Sequence, residues 1–286
     1  MNAQDVANGL VQGGVFAVIA LGLSLVFGVL RLVNFAHGAL LMAGGYLTYE
    51  LQKLTGIDPM VALVIVVPVA FIAAYPVQRH LLTRLMSRGS EVALVGTFAI
   101  ALVIQGVLEQ AFSTDGTSLN ASYATSGVDL LGIHLEVVDL ITLVIAVVLV
   151  AVVHLTLTRT HAGASARAAA ADPATATTMG IDVQRVYAVT FAIGAALAAV
   201  GGVMIGLGTS ITPDGGLSWL VIGFAVVVLG GVGDVRGTLL AALALGVIQS
   251  VGSDVFGSAY SNLIVYATFF LLLSLRPGRI GGLSLS

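Results

Sequence analysis

Long runs of apolar residues, separated by short polar segments, are the main pattern along this chain of 286 residues. Residues 6–30, for example, contain no charged side chain. Because a helix rises about 1.5 Å per residue and the hydrocarbon core of a bilayer is about 30 Å thick, runs of about 17–25 such residues are typical of membrane-spanning helices. The pattern predicts spans near residues 6–30, 32–49, 60–78, 92–110, 139–158, 186–209, 217–233, 237–252 and 261–275.

The basic residues indicate which side of the membrane each polar segment faces. Eight of the eleven lie in residues 79–88, in residues 159–185 and near the C-terminus, at Arg276 and Arg279. Short cytoplasmic loops are enriched in arginine and lysine, so we expect these three segments to be cytoplasmic. Residues 109–139 carry acidic but no basic side chains, which predicts an external loop over about residues 111–138. Alternation of the spans then makes the N-terminus external and the C-terminus cytoplasmic.

The composition supports a membrane protein and excludes an ordinary soluble domain. Apolar residues make up 58% of the chain, charged residues 9%, and the mean hydropathy is +1.07, whereas soluble domains carry about 25% charged residues. We therefore predict an all-α polytopic bundle of about eight to ten transmembrane helices, forming one domain over residues 1–286 in the cell (inner or plasma) membrane. The absence of cysteine excludes disulfides and thiolate sites, and no basic patch with aromatic residues suggests nucleic-acid binding.

Small residues recur at helical spacing in two of the predicted spans. In the sixth span Gly194, Ala198, Gly202 and Gly206 form one stripe, and in the eighth span Ala242, Gly246 and Ser250 form another. In lipid, small residues let helix backbones approach closely and gain dispersion contacts. We expect both helices to lie in the middle of the bundle.

Residues 31–40, RLVNFAHGAL, place polar side chains in an apolar region. Asn34 and His37 are three residues apart and would share a face if the segment were helical. A polar group that faces lipid without a partner costs several kcal/mol, so both should point inward or cap a break. The following Gly38 favours an interruption of the helix. Two interpretations stay open: the side chains connect helices by hydrogen bonds, or they lie beside a solute pathway.

Residues 159–185 are too polar to span a membrane and too rich in alanine to be a flexible tail. Residues 167–171 read as helix, and Pro173 after Asp172 suits a second helix with Asp172 as its N-cap. Two short helices on the cytoplasmic face could form a docking surface for a partner. An ordinary structured loop is the other interpretation.

Several catalytic and nucleotide-binding motifs are absent. The chain has no Gly-x-Ser-x-Gly or His-Glu-x-x-His pattern, and its one lysine, Lys53, does not follow glycines as a phosphate-binding P-loop requires. Gly230, Gly231, Gly233 and Gly237 superficially match a dinucleotide-binding loop, but they lie between two apolar spans and predict a tight cytoplasmic turn. We expect no catalytic residue, no metal ligand and no cofactor in this chain.

Several short motifs, in a characteristic order, resemble one known family, the permease subunits of high-affinity branched-chain amino acid ABC transporters of the LivH/LivM type. The resemblance covers nearly the whole chain. It rests on Gly22-Leu23-Ser24-Leu25-Val26-Phe27-Gly28, Val33-Asn34-Phe35-Ala36-His37-Gly38, Met179-Gly180-Ile181-Asp182, Phe224 with Gly230-Gly231-Val232-Gly233 and Gly237, and Leu275-Arg276-Pro277-Gly278.

The resemblance implies a set of partners and roles. Such a permease pairs with an identical or homologous second permease, two cytoplasmic ATP-binding subunits that use the ATP, and an external substrate-binding protein. Residues 159–185 look like the coupling region, with Arg167, Asp172, Met179 and Gly180 as candidate coupling residues. Asn34, His37 and Gly38 are the candidates for the substrate pathway.

Other functions remain possible from the sequence. Before Phe224 the family commonly has a lysine, and here Ile222-Gly223 stand instead. Members of the family also carry urea, short amides and small organic acids, so the solute stays open. An ion-coupled secondary carrier is a further alternative, although it would normally need an ionisable residue near mid-membrane. An intramembrane enzyme lacks any nucleophile and base arrangement in this sequence.

Overall fold

The computed structural model describes residues 3–124, 126–130 and 132–275, and most of these residues are helical. A π-helical segment, Val77–Leu82, joins α3 to α4, and a short 3-10 turn, Ser258–Tyr260, precedes α12. The helices are α1 Ala3–Leu30, α2 Ala36–Thr55, α3 Pro59–Pro76, α4 Thr83–Met86, α5 Ser90–Phe112, α6 Val137–Arg159, α7 His161–Ala171, α8 Pro173–Thr178, α9 Val183–Gly208, α10 Gly216–Gly230, α11 Val235–Phe256 and α12 Ser261–Leu275.

A helix occupies each of the nine predicted spans, which confirms the all-α polytopic bundle. Among the described residues, six helices are long and apolar enough to cross a membrane, namely α1, the continuous helix Pro59–Met86, α5, α6, α9 and α11. The other three spans correspond to α2, α10 and α12. Because α10 and α12 have 15 residues each, each is only about 22 Å long.

Two antiparallel helices, α1 and α9, form the centre of the bundle. In their most apolar 18-residue windows, 83% and 89% of residues are buried, against 17–22% in the other four long helices. Gly22 of α1 packs against Gly194 and Leu197, and Ile19 lies near Gly201. The predicted central position of the sixth span is therefore confirmed.

The predicted central position of the eighth span is wrong. The residues Ala242 and Gly246 of α11 pack against Gly9 and Gly13 of α1, whereas Leu240 on another face of α11 is 68% exposed. A stripe of small residues marks one close contact, and it does not require that the other faces of the helix be covered. The stripe on α11 thus locates its partner, α1, which is itself central.

The order of elements that follows α1 is repeated after α9. Each central helix is followed by a non-helical segment, residues 31–35 or 209–215, and then by a helix, α2 or α10. The next helix in each half packs on the central helix of the other half, α11 on α1 and α3 on α9. Because α1 and α9 are antiparallel, the two halves are inverted repeats. In transporters with such repeats, solute sites lie at the repeat interface.

A β-hairpin covers one end of the bundle, and we name the two ends from their contents. Strands β1 Gly127–Leu130 and β2 Ile133–Glu136 pair antiparallel within the predicted external loop. Helix α6 connects this hairpin directly to α7, so the hairpin end and the α7–α8 end lie at opposite ends of α6. The loop is held down by backbone hydrogen bonds from Leu119 to Gly206 and between Thr117 and Ile211.

Both arginine-rich segments inside the described residues lie at the α7–α8 end. Arg79 forms an ion pair with Asp182, just before α9, at 3.3 Å. The turn after α10 is at the same end, because Gly233 contacts Gly28 near the end of α1. The predicted basic C-terminal segment, with Arg276, Pro277, Gly278 and Arg279, lies outside the described residues.

Candidate functional site

The chain reverses direction between α1 and α2. Helix α1 ends at Leu30, and Arg31 adopts a left-handed backbone conformation with φ of 51°. The Arg31 amide donates a hydrogen bond to the carbonyl of Phe27 at 3.0 Å, a common way to end a helix. His37, in the first turn of α2, contacts Ile19 and Gly22. Helix α2 therefore begins beside the middle of α1, and residues 31–35 run back along that helix.

Asn34 lies before α2 and caps its first turn. Its side-chain oxygen accepts a hydrogen bond from the Ala36 amide at 3.1 Å, and its carbonyl accepts one from the His37 amide at 3.2 Å. Asparagine is suited to this position because its short side chain satisfies backbone donors that have no partner inside the helix. Asn34 and His37 consequently do not share a helical face, and the segment is interrupted.

His37 is fully buried against α1. Its Nε2 is 2.9 Å from the carbonyl oxygen of Ile19, so Nε2 carries the proton and donates. Nδ1 has no hydrogen-bond partner among the described residues. The side chain thus joins α2 to the middle of α1 by one hydrogen bond and leaves one acceptor unused.

The second interruption, residues 209–215, brings α10 to the same place. Ile211 pairs with Thr117 through backbone hydrogen bonds, and the Tyr46 hydroxyl donates to the Ile211 carbonyl at 3.2 Å. The chain then turns inward, and α10 starts at Gly216 in contact with Gly38.

The first turns of α2 and α10 meet through two glycines. A Cβ on Gly216 would lie 2.5 Å from the Gly38 carbonyl oxygen, and one on Gly38 would overlap the Gly216 carbonyl. Helix N-termini carry partial positive charge and free amide donors, which suits an anionic group such as a carboxylate. Asn34 and His37 are 1% and 0% exposed. The predicted pathway residues therefore come together where the two repeats meet, and this meeting point is closed.

Replacement of Asn34 by alanine is expected to lower the free energy of unfolding by about 1 kcal/mol, because the cap of α2 is lost. Asn34→Ser keeps a short oxygen acceptor and should recover most of that loss. Thermal unfolding of the purified variants in detergent measures both. Equal stability of Asn34→Ala and the unsubstituted chain would contradict the capping role.

Helices α7 and α8 are both present and capped, as the pattern of residues 159–185 predicts. The Thr160 hydroxyl accepts a hydrogen bond from the Gly163 amide at 3.0 Å at the start of α7. Asp172 caps α8 by accepting from the amides of Ala174 and Thr175 at 3.0 and 3.3 Å. Hydrogen bonds from the Thr175 hydroxyl and these amides hold the pKa of the Asp172 carboxyl below its usual value.

The other candidate coupling residues are accessible at the same end. Met179, just after α8, is 79% exposed, and Gly180 has φ of 83°. Arg167 is exposed on α7. Asp182 caps α9, and the bond from the Arg185 amide together with Arg79 lowers the pKa of its carboxyl.

A mostly apolar cavity of about 480 Å³, open to the surface, borders α7. It lies between α6, α7 and α9, with Thr156, Ser165 and Thr190 among its lining residues. The cavity leaves one side of α7 uncovered, while Gly163 in the first turn of α7 packs directly on the backbone of α6.

The glycine turn between α10 and α11 is tight, as its composition predicts. Gly231 and Gly233 have φ of 96° and 78°, and the Asp234 amide donates to the Gly231 carbonyl at 3.0 Å. Gly230 and Gly237 are in backbone contact on the two sides of the turn. The four glycines therefore form a close helix connection rather than a phosphate-binding loop.

Comparison with known proteins adds to this geometry. The family model described as "Branched-chain amino acid transport system / permease component" matches residues 6–273. The chain belongs to this permease family. Its relatives include BraD of Pseudomonas aeruginosa, named a high-affinity branched-chain amino acid transport system permease protein, which is 30% identical over 98% of this chain and 95% of BraD.

Two further members of the branched-chain amino acid permease family are more distant. LivH of Escherichia coli is 26% identical over 98% of this chain and 95% of LivH, and a probable LivH of Methanocaldococcus jannaschii is 26% identical over 92% and 85%. A solved structure, PsaBC from Streptococcus pneumoniae in complex with Fab, has a TM-score of 0.48, with 14% identity over 94% of each chain. The chain's membership of the permease family and its apolar helices make it a multi-pass membrane permease, a transport subunit rather than an enzyme.

Sequence reasoning missed two features of this permease site. Gly216 was not singled out, although the pair Gly215-Gly216 just before an apolar run marks it as a place of close backbone approach. The ion pair between Arg79 and Asp182 was also missed, because its partners come from distant polar segments.

Proposed function

We propose that this permease is the transmembrane subunit of an ATP-driven ABC importer for branched-chain amino acids. The observation that carries the proposal is the match over residues 6–273, together with relatives named as branched-chain amino acid transport permeases. The assembly would contain a second permease, identical or homologous, two ATP-binding subunits and an external substrate-binding protein. With no P-loop in this chain, ATP binds the partner subunits.

In this proposal the α7–α8 end faces the cytoplasm and the hairpin end faces outward. The described arginine-rich segments cluster at the α7–α8 end, while the acidic segment around the hairpin lies at the other end. The positive-inside rule gives this orientation in the cell membrane. The N-terminus is then external and the C-terminus cytoplasmic.

Coupling to ATP would occur through α7 and α8. Both short helices are capped at their own N-termini, so each forms a firm element, and the exposed Met179 side chain is suited to an apolar contact with an ATP-binding subunit. Arg167, Asp172 and Gly180 belong to the same surface. Helix α9 lines the same cavity as α7, and a shift of α7 could reach the centre of the bundle through α9.

The solute pathway would open at the contact between the two repeats. Gly38 and Gly216 close the interior in this structure, His37 joins α2 to α1, and Asn34 caps the first turn of α2. Separation of α2 from α10 would expose two helix N-termini to a solute carboxylate. The rest of the cycle is alternating access driven by the ATP-binding subunits.

Uptake of labelled leucine into vesicles that hold the complete assembly tests the proposal. We expect saturable uptake that requires ATP and is inhibited by excess unlabelled isoleucine. Uptake that continues with hydrolysis-deficient ATP-binding subunits, and stops when proton and sodium gradients are dissipated, would instead indicate an ion-coupled carrier. ATP hydrolysis without leucine uptake would indicate that the importer carries urea, short amides or small organic acids instead. Uptake of these labelled solutes is measured in the same vesicles.

A further inference from the structure

A second region of the bundle, away from the closed contact, contains a polar cavity of about 310 Å³. It lies between α1, α10, α11 and α12. Its polar lining includes Asn8, Gln12, Gln249, Ser250, Ser253 and Asn262.

Several of these polar groups have no protein partner. The side chains of Gln12, Gln249 and Asn262 make no hydrogen bond to another described residue, and the buried Ser253 hydroxyl has none either. Gln249 is only 7% exposed. Gln12 is half-buried and Asn262 exposed, so Gln249 and the Ser253 hydroxyl are the buried groups of this set. Buried polar side chains are nearly always hydrogen-bonded in folded proteins, and free ones around a cavity are available to a solute.

The chemistry of the lining selects a solute without net charge. Among the described residues no charged side chain lines the cavity, so the charge of an ion would be buried there without a counter-charge. Amides and hydroxyls both donate and accept hydrogen bonds, and together they can serve the ammonium and the carboxylate of a zwitterion. Phe16, Trp219 and Ile222 form an apolar part of the wall, which suits an aliphatic side chain.

The position of the cavity places it on one side of the closed contact. Gln249 and Ser253 are in the last two turns of α11, whose end packs on the first half of α1 near the hairpin end. Trp219 is in the first turn of α10, which starts at Gly216. A solute in the cavity would therefore lie between the hairpin end and the contact of Gly216 with Gly38.

We propose that this cavity binds a zwitterionic amino acid with an aliphatic side chain before it reaches the closed contact between the two repeats. The assignment rests on the proposed import function and adds a binding site to it. Gln249 and Ser253 contribute hydrogen bonds to the charged groups of the solute, and Trp219 contacts its side chain.

Thiol labelling tests the site directly, because the chain has no cysteine of its own. In Ser250→Cys, at a half-buried lining position with no hydrogen bond assigned to the solute, the rate of modification by a membrane-impermeant methanethiosulfonate is measured by mass spectrometry of this chain in the complete assembly without ATP. We expect saturating L-leucine to slow the modification at least fivefold and urea at the same concentration to have no effect. Gln110→Cys, at an exposed position on α5, should react equally fast with and without leucine.

A second pair of variants tests the hydrogen bonds. In the Ser250→Cys background, Gln249→Leu should raise the leucine concentration for half-protection about tenfold, the effect of losing one hydrogen bond to a charged group. Gln110→Leu, the same change outside the cavity, should leave that concentration unchanged.

Two results would overturn the cavity assignment while leaving the import function intact. One is a modification rate that leucine does not change in an assembly whose unsubstituted form imports leucine. The other is a thiol that does not react even when no solute is present in such an assembly. The second permease would then cover the cavity. Absence of leucine uptake by the unsubstituted assembly would contradict the proposed function itself.

Discussion

Replacement of Gly38 by alanine is expected to destabilise the folded chain by about 3 kcal/mol, because a methyl group would be forced into a closely packed contact. The added Cβ would overlap the carbonyl group of Gly216, and the next neighbour is the side chain of Leu220. Both close partners are backbone or near-backbone atoms, which a side-chain rotation cannot displace. The steric overlap is therefore relieved only if α2 and α10 move apart. Because these helices begin at the junction of the two repeats, that movement disturbs the centre of the bundle.

Gly106→Ala is the matched control for this prediction. Gly106 is also inside a helix, α5, and no atom lies within 4 Å of the position its Cβ would take. Alanine is the better helix former by about 1 kcal/mol, so this variant should be as stable as the unsubstituted chain or slightly more stable. The comparison uses unfolding midpoints in detergent and the fraction of monodisperse protein. Equal unfolding midpoints for Gly38→Ala and Gly106→Ala would contradict the close contact between Gly38 and Gly216.

Replacement of Met179 by glutamate is expected to reduce ATP-dependent leucine uptake at least tenfold while the permease still folds. The side chain is 79% exposed after α8, so a charge there costs little in the isolated permease. In an apolar contact with an ATP-binding subunit, the same charge would be desolvated without a partner, and loss of such central contacts typically costs 2 kcal/mol or more. The recovery of ATP-binding subunits with the purified permease measures this loss independently of transport.

Two further variants make the Met179 result specific. Met179→Leu keeps an apolar side chain of similar volume and should retain both uptake and association. Leu54→Glu introduces the same charge at an apolar residue that is 72% exposed at the hairpin end, and it should leave the association with ATP-binding subunits intact. Normal association and uptake in Met179→Glu would place the coupling contact elsewhere on the α7–α8 end.

The two experiments separate the parts of the mechanism. The Gly38 variant tests whether the repeats are closed against each other, and its effect is measured on the permease alone. The Met179 variant tests whether the α7–α8 end contacts the ATP-binding subunits, and its effect appears only in the assembly. The cavity near Gln249 is independent of the Met179 experiment, because its lining residues come from α1, α10, α11 and α12 at the hairpin side of the closed contact, away from the α7–α8 end.

Hydropathy alone located the helices well because each span is a local property of the chain. All nine predicted spans contain a helix, and the start of α8 after Asp172 follows from a cap and a proline that act within one turn. The hairpin was missed because its strands are four residues each, too short to show a hydropathic pattern. The central position expected for α11 was wrong, because a stripe of small residues describes one face only.

The sequence by itself determined the class of protein, the positions of its helices and the interruption around Asn34 and His37. Apolar run length, caps and glycines act over a few neighbouring residues, so they can be read from the chain directly. The tertiary structure alone decided that α1 is the second central helix, that Gly38 meets Gly216, and that Gln249 and Ser253 share a cavity with Trp219. These contacts join residues far apart in the chain, and in lipid nearly every helix face is apolar, so hydropathy cannot tell which face meets which.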